Sequence, residues 1–165
     1  KDENPAVVYA GEGGTTFRFL LAVAATREGD TTILVEDTIL ERPHEPLVDA
    51  LRYAGAEISP AMADGKAGVS VKGWHSFPNH LRVDASDSSQ YASALALLAA
   101  TGKPFSLEIT SDSIASRPYF EMTLSMLRRV GISVTEHPDQ HTFEFKPNDG
   151  FQEASDLNIA PDASS

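Results

Sequence analysis

The sequence predicts an α/β fold with mixed sheet pairing, assembled from two tandem βαβαββ units within 165 residues. Two observations carry this expectation. First, Asp37-Thr38-Ile39-Leu40-Glu41-Arg42-Pro43 returns as Asp112-Ser113-Ile114-Ala115-Ser116-Arg117-Pro118, four of seven positions identical at an offset of 75 residues. The same offset carries residues 20–26 (LLAVAAT) onto residues 95–101 (LALLAAT), and Asp87-Ser88-Ser89-Gln90 onto Asp162-Ala163-Ser164-Ser165, where a third copy is expected to begin. Internal repetition fixes architecture before any local argument does. Second, each copy alternates helical and strand periodicity in the same order, which implies parallel crossovers and one antiparallel pair.

In the first copy, a strand over residues 7–9 leads to Gly13-Gly14, after which Phe17, Leu20, Leu21 and Ala24 form one apolar helical stripe. The β-branched run 31–36 (TTILVE) is a strand. Residues 46–53 resume helical spacing through Leu47, Ala50 and Leu51 until Gly55 ends the helix. Residues 57–59 and 69–71 close the copy as a hairpin across Asp64-Gly65-Lys66. The second copy gives a strand at 81–83, a helix at 89–100, a strand at 105–110, a helix at 118–130 stopped by Gly131, and closing strands at 132–136 and 142–145. Residues 91–100 (YASALALLAA) are apolar on nearly every side, the pattern of a helix surrounded by protein. The two units are expected to join near residues 72–79, giving one compact partial domain with units at 1–79 and 80–165.

Composition narrows the function classes. With 41% hydrophobic residues the chain can bury a core, and 13 basic against 24 acidic residues leave a net charge of −11, which disfavours a surface for nucleic acid or an anionic membrane. An anionic ligand must therefore be held by local groups. There is no cysteine, so disulfides, thiolate metal sites and thiol nucleophiles are excluded. No apolar run approaches the roughly eighteen residues of a membrane span, so a soluble, cytoplasmic protein is expected. The chain starts at Lys1 and stops at Ser165 within an apparent helix start, as an excerpt of a longer protein does.

Chemistry is expected at helix starts. Gly13-Gly14-Thr15-Thr16 places small and hydroxyl residues where unpaired amides and the helix dipole favour an anion, and Ser88-Ser89-Gln90 occupies the matching place in the second copy. The same residues also form ordinary caps. Arg42-Pro43 and Arg117-Pro118 set a guanidinium beside a helix N-terminus, an arrangement the dipole opposes by roughly 0.3–1 kcal/mol unless an anion offsets it. Pairing with Glu41, Glu45 or Glu121 is the alternative. Arg18, in the opening helix, repeats the anomaly. His44, His75, His80, His137 and His141 show no metal-ligand or triad spacing and read as surface or turn residues. Asp84, Asp87, Asp112 and Asp162 read as caps, and Trp74 as packing.

Taken together, GGTTFRFL, Glu41-Arg42-Pro43, Ser88-Ser89-Gln90-Tyr91, Ser116-Arg117-Pro118-Tyr119 with Met122-Thr123-Leu124, and Asp162-Ala163-Ser164-Ser165 resemble, in order and spacing, the 5-enolpyruvylshikimate-3-phosphate synthase family. The resemblance spans nearly the whole chain. It implies an inside-out α/β barrel of repeated units, and transfer of the enolpyruvyl group of phosphoenolpyruvate to the 5-hydroxyl of shikimate 3-phosphate with release of phosphate. No metal or organic cofactor is implied, and a monomeric parent is. Position by position, it implies that Ser88, Ser89, Ser116, Gln90 and Tyr119 contact shikimate 3-phosphate. Gly14, Thr15, Arg42 and Gln90 are implied to contact phosphoenolpyruvate. Residues 1–79 and 80–165 become the second and third units of the shikimate-phosphate domain, the latter running into the start of the next domain. Glu12 departs from the asparagine common there, and Arg117 falls at a variable basic position. The family's lysine-serine-arginine segment and its acid–base aspartate, glutamate and lysine are not in this chain, which is therefore expected to be inactive alone. The related UDP-N-acetylglucosamine enolpyruvyl transferases lack the serine pair with glutamine. A non-catalytic repeat that binds sugar phosphates is the alternative from another class.

Overall fold

The computed structural model describes residues 5–137 and 141–147. Residues 162–165, where a third copy is expected to begin, lie outside them. The first unit runs β1 (Ala6–Gly11), α1 (Gly14–Ala24), β2 (Thr31–Val35), a one-turn α2 (Asp37–Leu40), α3 (Glu45–Tyr53), β3 (Glu57–Ala63) and β4 (Lys66–Lys72). The second runs β5 (His80–Val83), α4 (Ser89–Ala96), β6 (Phe105–Ile109), α5 (Arg117–Arg129), β7 (Ile132–His137) and β8 (Thr142–Pro147). Each forms a four-stranded sheet in the same order, β1-β2-β4-β3 and β5-β6-β8-β7. In each, the first two strands are parallel and the closing hairpin is antiparallel. The parallel pair forces a crossover, and α1 or α4 supplies it.

Local chemistry explains the turning points. Ala63 pairs with Lys66, and the two residues between them, Asp64 and Gly65, both have positive φ, the geometry of a two-residue hairpin turn that matches strand twist. Gly55 (φ +102°) and Gly131 (φ +90°) end α3 and α5 in a left-handed conformation that a Cβ would penalise. The strands of both hairpins extend further than their apolar cores alone suggested, because ladder hydrogen bonds continue through polar ends.

The repeat is less regular in space than in sequence. Thr31 pairs with Val71, and Phe105 pairs with Phe145, so the central strands match at an offset of 74 rather than 75. The inward residues follow: Ile33 and Val35 in one unit, Leu107 and Ile109 in the other. The helix expected over residues 89–100 also divides. Its α-helical part ends at Ala96, and a 3-10 segment, Leu97–Thr101, tightens the chain into Gly102 (φ +74°). Lys103 precedes Pro104 and is thereby pushed towards extended backbone, so the helix cannot run on.

Helix α4 packs between α1 and α5 and is buried through Tyr91, Ala92, Ser93, Ala94, Leu95 and Ala96, as its all-round apolar pattern predicts. Phe17, Leu21, Ile33, Leu81, Leu95, Leu107, Phe120 and Phe145 join one continuous core across both units. Trp74 sits in that core at the junction of the units, its indole N–H donating to the Leu51 carbonyl at 3.3 Å. The consequence for function is positional. Because α1, α4 and α5 are packed together, their N-termini open on one region.

Candidate functional site

A cavity of about 650 Å³ lies at those helix starts, lined by Thr15 and Phe19 of α1, by Asp87, Ser88, Ser89 and Gln90 at α4, and by Ser116 and Tyr119 at α5. Thr15, Ser88, Ser89, Gln90, Ser116 and Tyr119, which are far apart in sequence, are thus brought together. None of the three helices carries an acidic residue in its first turn, although the chain has 24 acidic residues. By contrast α2 and α3, away from the cavity, begin with Asp37 and Glu45. First-turn amides left without carboxylate partners hold a positive potential suited to an anion. Asp87, at the rim before α4, is the one carboxylate among the cavity residues.

Each wall residue has a distinct local reason for its position. Ser88 is the N-cap of α4, and its hydroxyl accepts from the Gln90 amide at 3.2 Å, so it is a cap as well as a wall. Ser89, 4% exposed, has a hydroxyl that makes no hydrogen bond to a described residue. Ser116, the N-cap of α5, sits at φ +49°, a left-handed conformation that costs a non-glycine residue energy and that concentrates at ligand sites. Its side chain makes no capping bond and stays available. Tyr119 is 57% exposed at the mouth. Below, Thr123 Oγ1 donates to Ser93 Oγ at 3.0 Å and ties α5 to α4.

Gly14 and Arg42 stand beside this cavity rather than in its wall. A Cβ on Gly14 would come within 3.2 Å of Arg42 Nη1, so the guanidinium rests on the bare Cα at the start of α1. Arg42 lies further from the second helix than its place beside Pro43 implies. Helix α3 starts at Glu45, with His44 as its N-cap, so Arg42 precedes it by three residues and follows the Glu41 C-cap of α2. Arg42 is therefore not a cation set beside the N-terminus of α3, as expected, but an exposed cation against α1, with no ion-pair partner among the described residues. Arg117 differs from Arg42 and meets the alternative of pairing with nearby glutamates. It is the first residue of α5, and its guanidinium is paired with Glu121 (2.9 Å) and Glu136 (2.5 Å), the Glu136 bond above all pushing its pKa up.

Arg18, a candidate cation of the anion sites, and His44, which had no assigned role, are packed together behind the cavity wall. Arg18 is 8% exposed and has no carboxylate partner among the described residues. Its Nη1 donates to Gln90 Oε1 (2.5 Å), its Nη2 to the Pro43 carbonyl (2.9 Å) and its Nε to His44 Nδ1 (3.2 Å), while the guanidinium lies 5.1 Å from the centre of the Tyr91 ring. Tyr91 also donates to the Pro43 carbonyl at 2.7 Å. His44, expected at the surface, is 6% exposed, with Phe17 edge-on at 4.8 Å. Burial above all holds its pKa below the ordinary histidine range; the Arg18 and Arg42 charges add to this, and the Ile39 carbonyl and Glu45 oppose it. The sequence signal for Arg18 is its positive charge near the start of the opening helix, where the dipole opposes it. His44 gave none.

The fold class is that of the enolpyruvyl transferases. A solved EPSP synthase from Acinetobacter baumannii is similar over 87% of this chain and 31% of its own, with a TM-score of 0.62 at 22% identity. The enolpyruvyl transferase NikO from Streptomyces tendae is similar over 88% of this chain and 30% of its own, with a TM-score of 0.52 at 18% identity. Within that class the chain belongs to the EPSP synthase (3-phosphoshikimate 1-carboxyvinyltransferase) family, whose model matches residues 1–165. Relatives named 3-phosphoshikimate 1-carboxyvinyltransferase include those of Pseudomonas syringae pv. syringae (34% identical, covering 95% of this chain) and Rhizobium leguminosarum bv. trifolii (34%, covering 96%). The chain spans 37% of the length of either relative.

Proposed function

We propose that the protein to which these residues belong transfers the enolpyruvyl group of phosphoenolpyruvate to the 5-hydroxyl of shikimate 3-phosphate, and that this chain supplies one wall of the site. Residues 1–79 and 80–165 serve as the second and third units of the shikimate-phosphate domain. One observation supports the reading most: three helix starts free of acidic first-turn residues face a cavity, and beside it lies Arg42, which has no ion-pair partner among the described residues.

In this reading the Ser88, Ser89 and Ser116 hydroxyls hold the phosphate of shikimate 3-phosphate, and Tyr119 flanks its ring. Ser89, with no hydrogen-bond partner of its own among the described residues, and Ser116, held in a strained cap, are the strongest contributors. Arg42 holds phosphoenolpyruvate against the start of α1, where Gly14 lets the guanidinium approach and Thr15 lines the adjoining cavity. Gln90 serves both ligands. Arg18 binds its Oε1, so the amide NH2 is the end left to donate. These groups bind and orient two anions so that the 5-hydroxyl meets the phosphate-bearing carbon of phosphoenolpyruvate, from which phosphate then leaves, and such positioning is where much of the barrier to a two-substrate reaction is removed. Proton transfer falls to groups on the rest of the protein.

The test is calorimetric titration of the full-length protein with shikimate 3-phosphate, followed by phosphate release on adding phosphoenolpyruvate. Saturable binding and stoichiometric phosphate are expected, while the 165-residue chain alone gives no turnover. Binding of neither ligand by the full-length protein contradicts the reading.

A further inference from the structure

We propose that His44 is a positioning residue for the anion site: as a neutral imidazole it seats Arg18, and through Arg18 it fixes the Gln90 side chain and the Arg42-Pro43 corner. The inference rests on the functional reading above for its consequence, but not for its geometry. Arg18 Nε always carries a hydrogen, so at 3.2 Å His44 Nδ1 must be the acceptor. Nε2 then bears the ring proton and donates to the Ile39 carbonyl at 2.6 Å. One tautomer satisfies both contacts. A second proton would sit on Nδ1 facing Arg18 Nε–H, replacing an acceptor with a donor and setting two buried cations together.

The charged groups around the ring sharpen this. Arg18 on α1 and Arg42 in the preceding loop oppose protonation, and Glu45 on α3 favours it. Glu45 is committed elsewhere, its carboxylate accepting from the His44 backbone amide at 2.9 Å. Tyr91 on α4 bears on the ring only through Arg18, and burial pushes its phenol up, so it stays neutral. Protonation of His44 therefore has one outlet: Arg18 gives up Nδ1. Its other two bonds, to Gln90 and to the Pro43 carbonyl, share the same rigid guanidinium and shift with it.

The experiment compares full-length wild type with His44→Asn and His44→Leu. Asparagine places a carbonyl oxygen near the position of Nδ1 and does not titrate; leucine fills the volume and accepts nothing. In ligand-free protein, the Gln90 side-chain amide NMR signals are followed from pH 8 to pH 5. They are expected to move with the His44 ring titration in wild type and to stay fixed in His44→Asn. Phosphoenolpyruvate affinity is then measured over the same range. Wild type is expected to lose about fivefold relative to His44→Asn on acidification, the equivalent of about one hydrogen bond, and His44→Leu to be about fivefold weaker already at pH 8. The ligand's own phosphate titration cancels in these ratios. Shikimate 3-phosphate ratios are expected to stay flat. A Gln90 amide indifferent to His44 titration overturns the inference, as does an affinity ratio of wild type to His44→Asn that is constant with pH. Should His44→Leu not fold, the other two proteins decide. If the amide moves but phosphoenolpyruvate never binds, the positioning network stands and the functional reading fails.

Discussion

The Arg42 and Arg117 corners are copies of one motif, yet one leaves its charge open and the other closes it. Arg117 lies in the first turn of α5, and the residue four positions on is Glu121, which with Glu136 from β7 neutralises it. Arg42 lies three residues ahead of α3, and four positions on is Pro46, which has nothing to offer. Nearby Glu45 instead caps its own helix through the amides of His44 and Glu45. The difference teaches that an Arg-Pro pair does not by itself make an anion site. What matters is whether the surrounding residues have already supplied the counter-charge.

Mutation separates the two corners. In the full-length protein, Arg42→Ala should weaken phosphoenolpyruvate by roughly ten- to a hundredfold, since it removes a charge-assisted contact of ~1.5–3 kcal/mol. Arg117→Ala should leave the same affinity within about twofold, as measured by equilibrium titration. A smaller effect is expected from Gly14→Ala. Its Cβ would press on Arg42 Nη1 from 3.2 Å, so phosphoenolpyruvate affinity should fall by about three- to tenfold while shikimate 3-phosphate binding is unchanged. An unchanged phosphoenolpyruvate titration of that variant would show that Arg42 is not held against α1 when ligand binds.

The smallest effect concerns stability. Because the folded His44 pKa lies below its unfolded value, the unfolded chain takes up the proton first as pH falls. Stability is thus whole above the ordinary histidine pKa of about 6.5 and declines below it, until the folded pKa is passed. Thermal unfolding of the 165-residue chain at pH 7.5 and 5.5 checks this, with His44→Asn as the reference that lacks the histidine contribution. Equal pH dependence in both chains would remove His44 from the account.

Much of this was legible in the residues because repetition and periodicity are local properties. The 75-residue offset located both helix starts, and α4 read as central from its apolar residues alone. The register slip to 74 was invisible, since strand pairing is settled by packing between elements rather than by residue identity. One-turn α2 escaped because four residues cannot show a helical period. His44 was misplaced for a related reason: between Pro43 and Pro46 it resembles a turn residue, and what buries it is Phe17 and Arg18, some 26 residues away. The serines were readable as either caps or ligands, and Ser88 is visibly a cap.

That ambiguity is resolved by one measurement, the affinities of both substrates for the full-length Arg42→Ala variant and for the Ser88→Ala, Ser89→Ala double variant. The account predicts a dissociation: the arginine variant loses phosphoenolpyruvate about tenfold or more, the serine variant loses mainly shikimate 3-phosphate, and each retains the other ligand. If both variants fold and bind both substrates within about twofold of wild type, the helix starts of α1 and α4 are caps and nothing more.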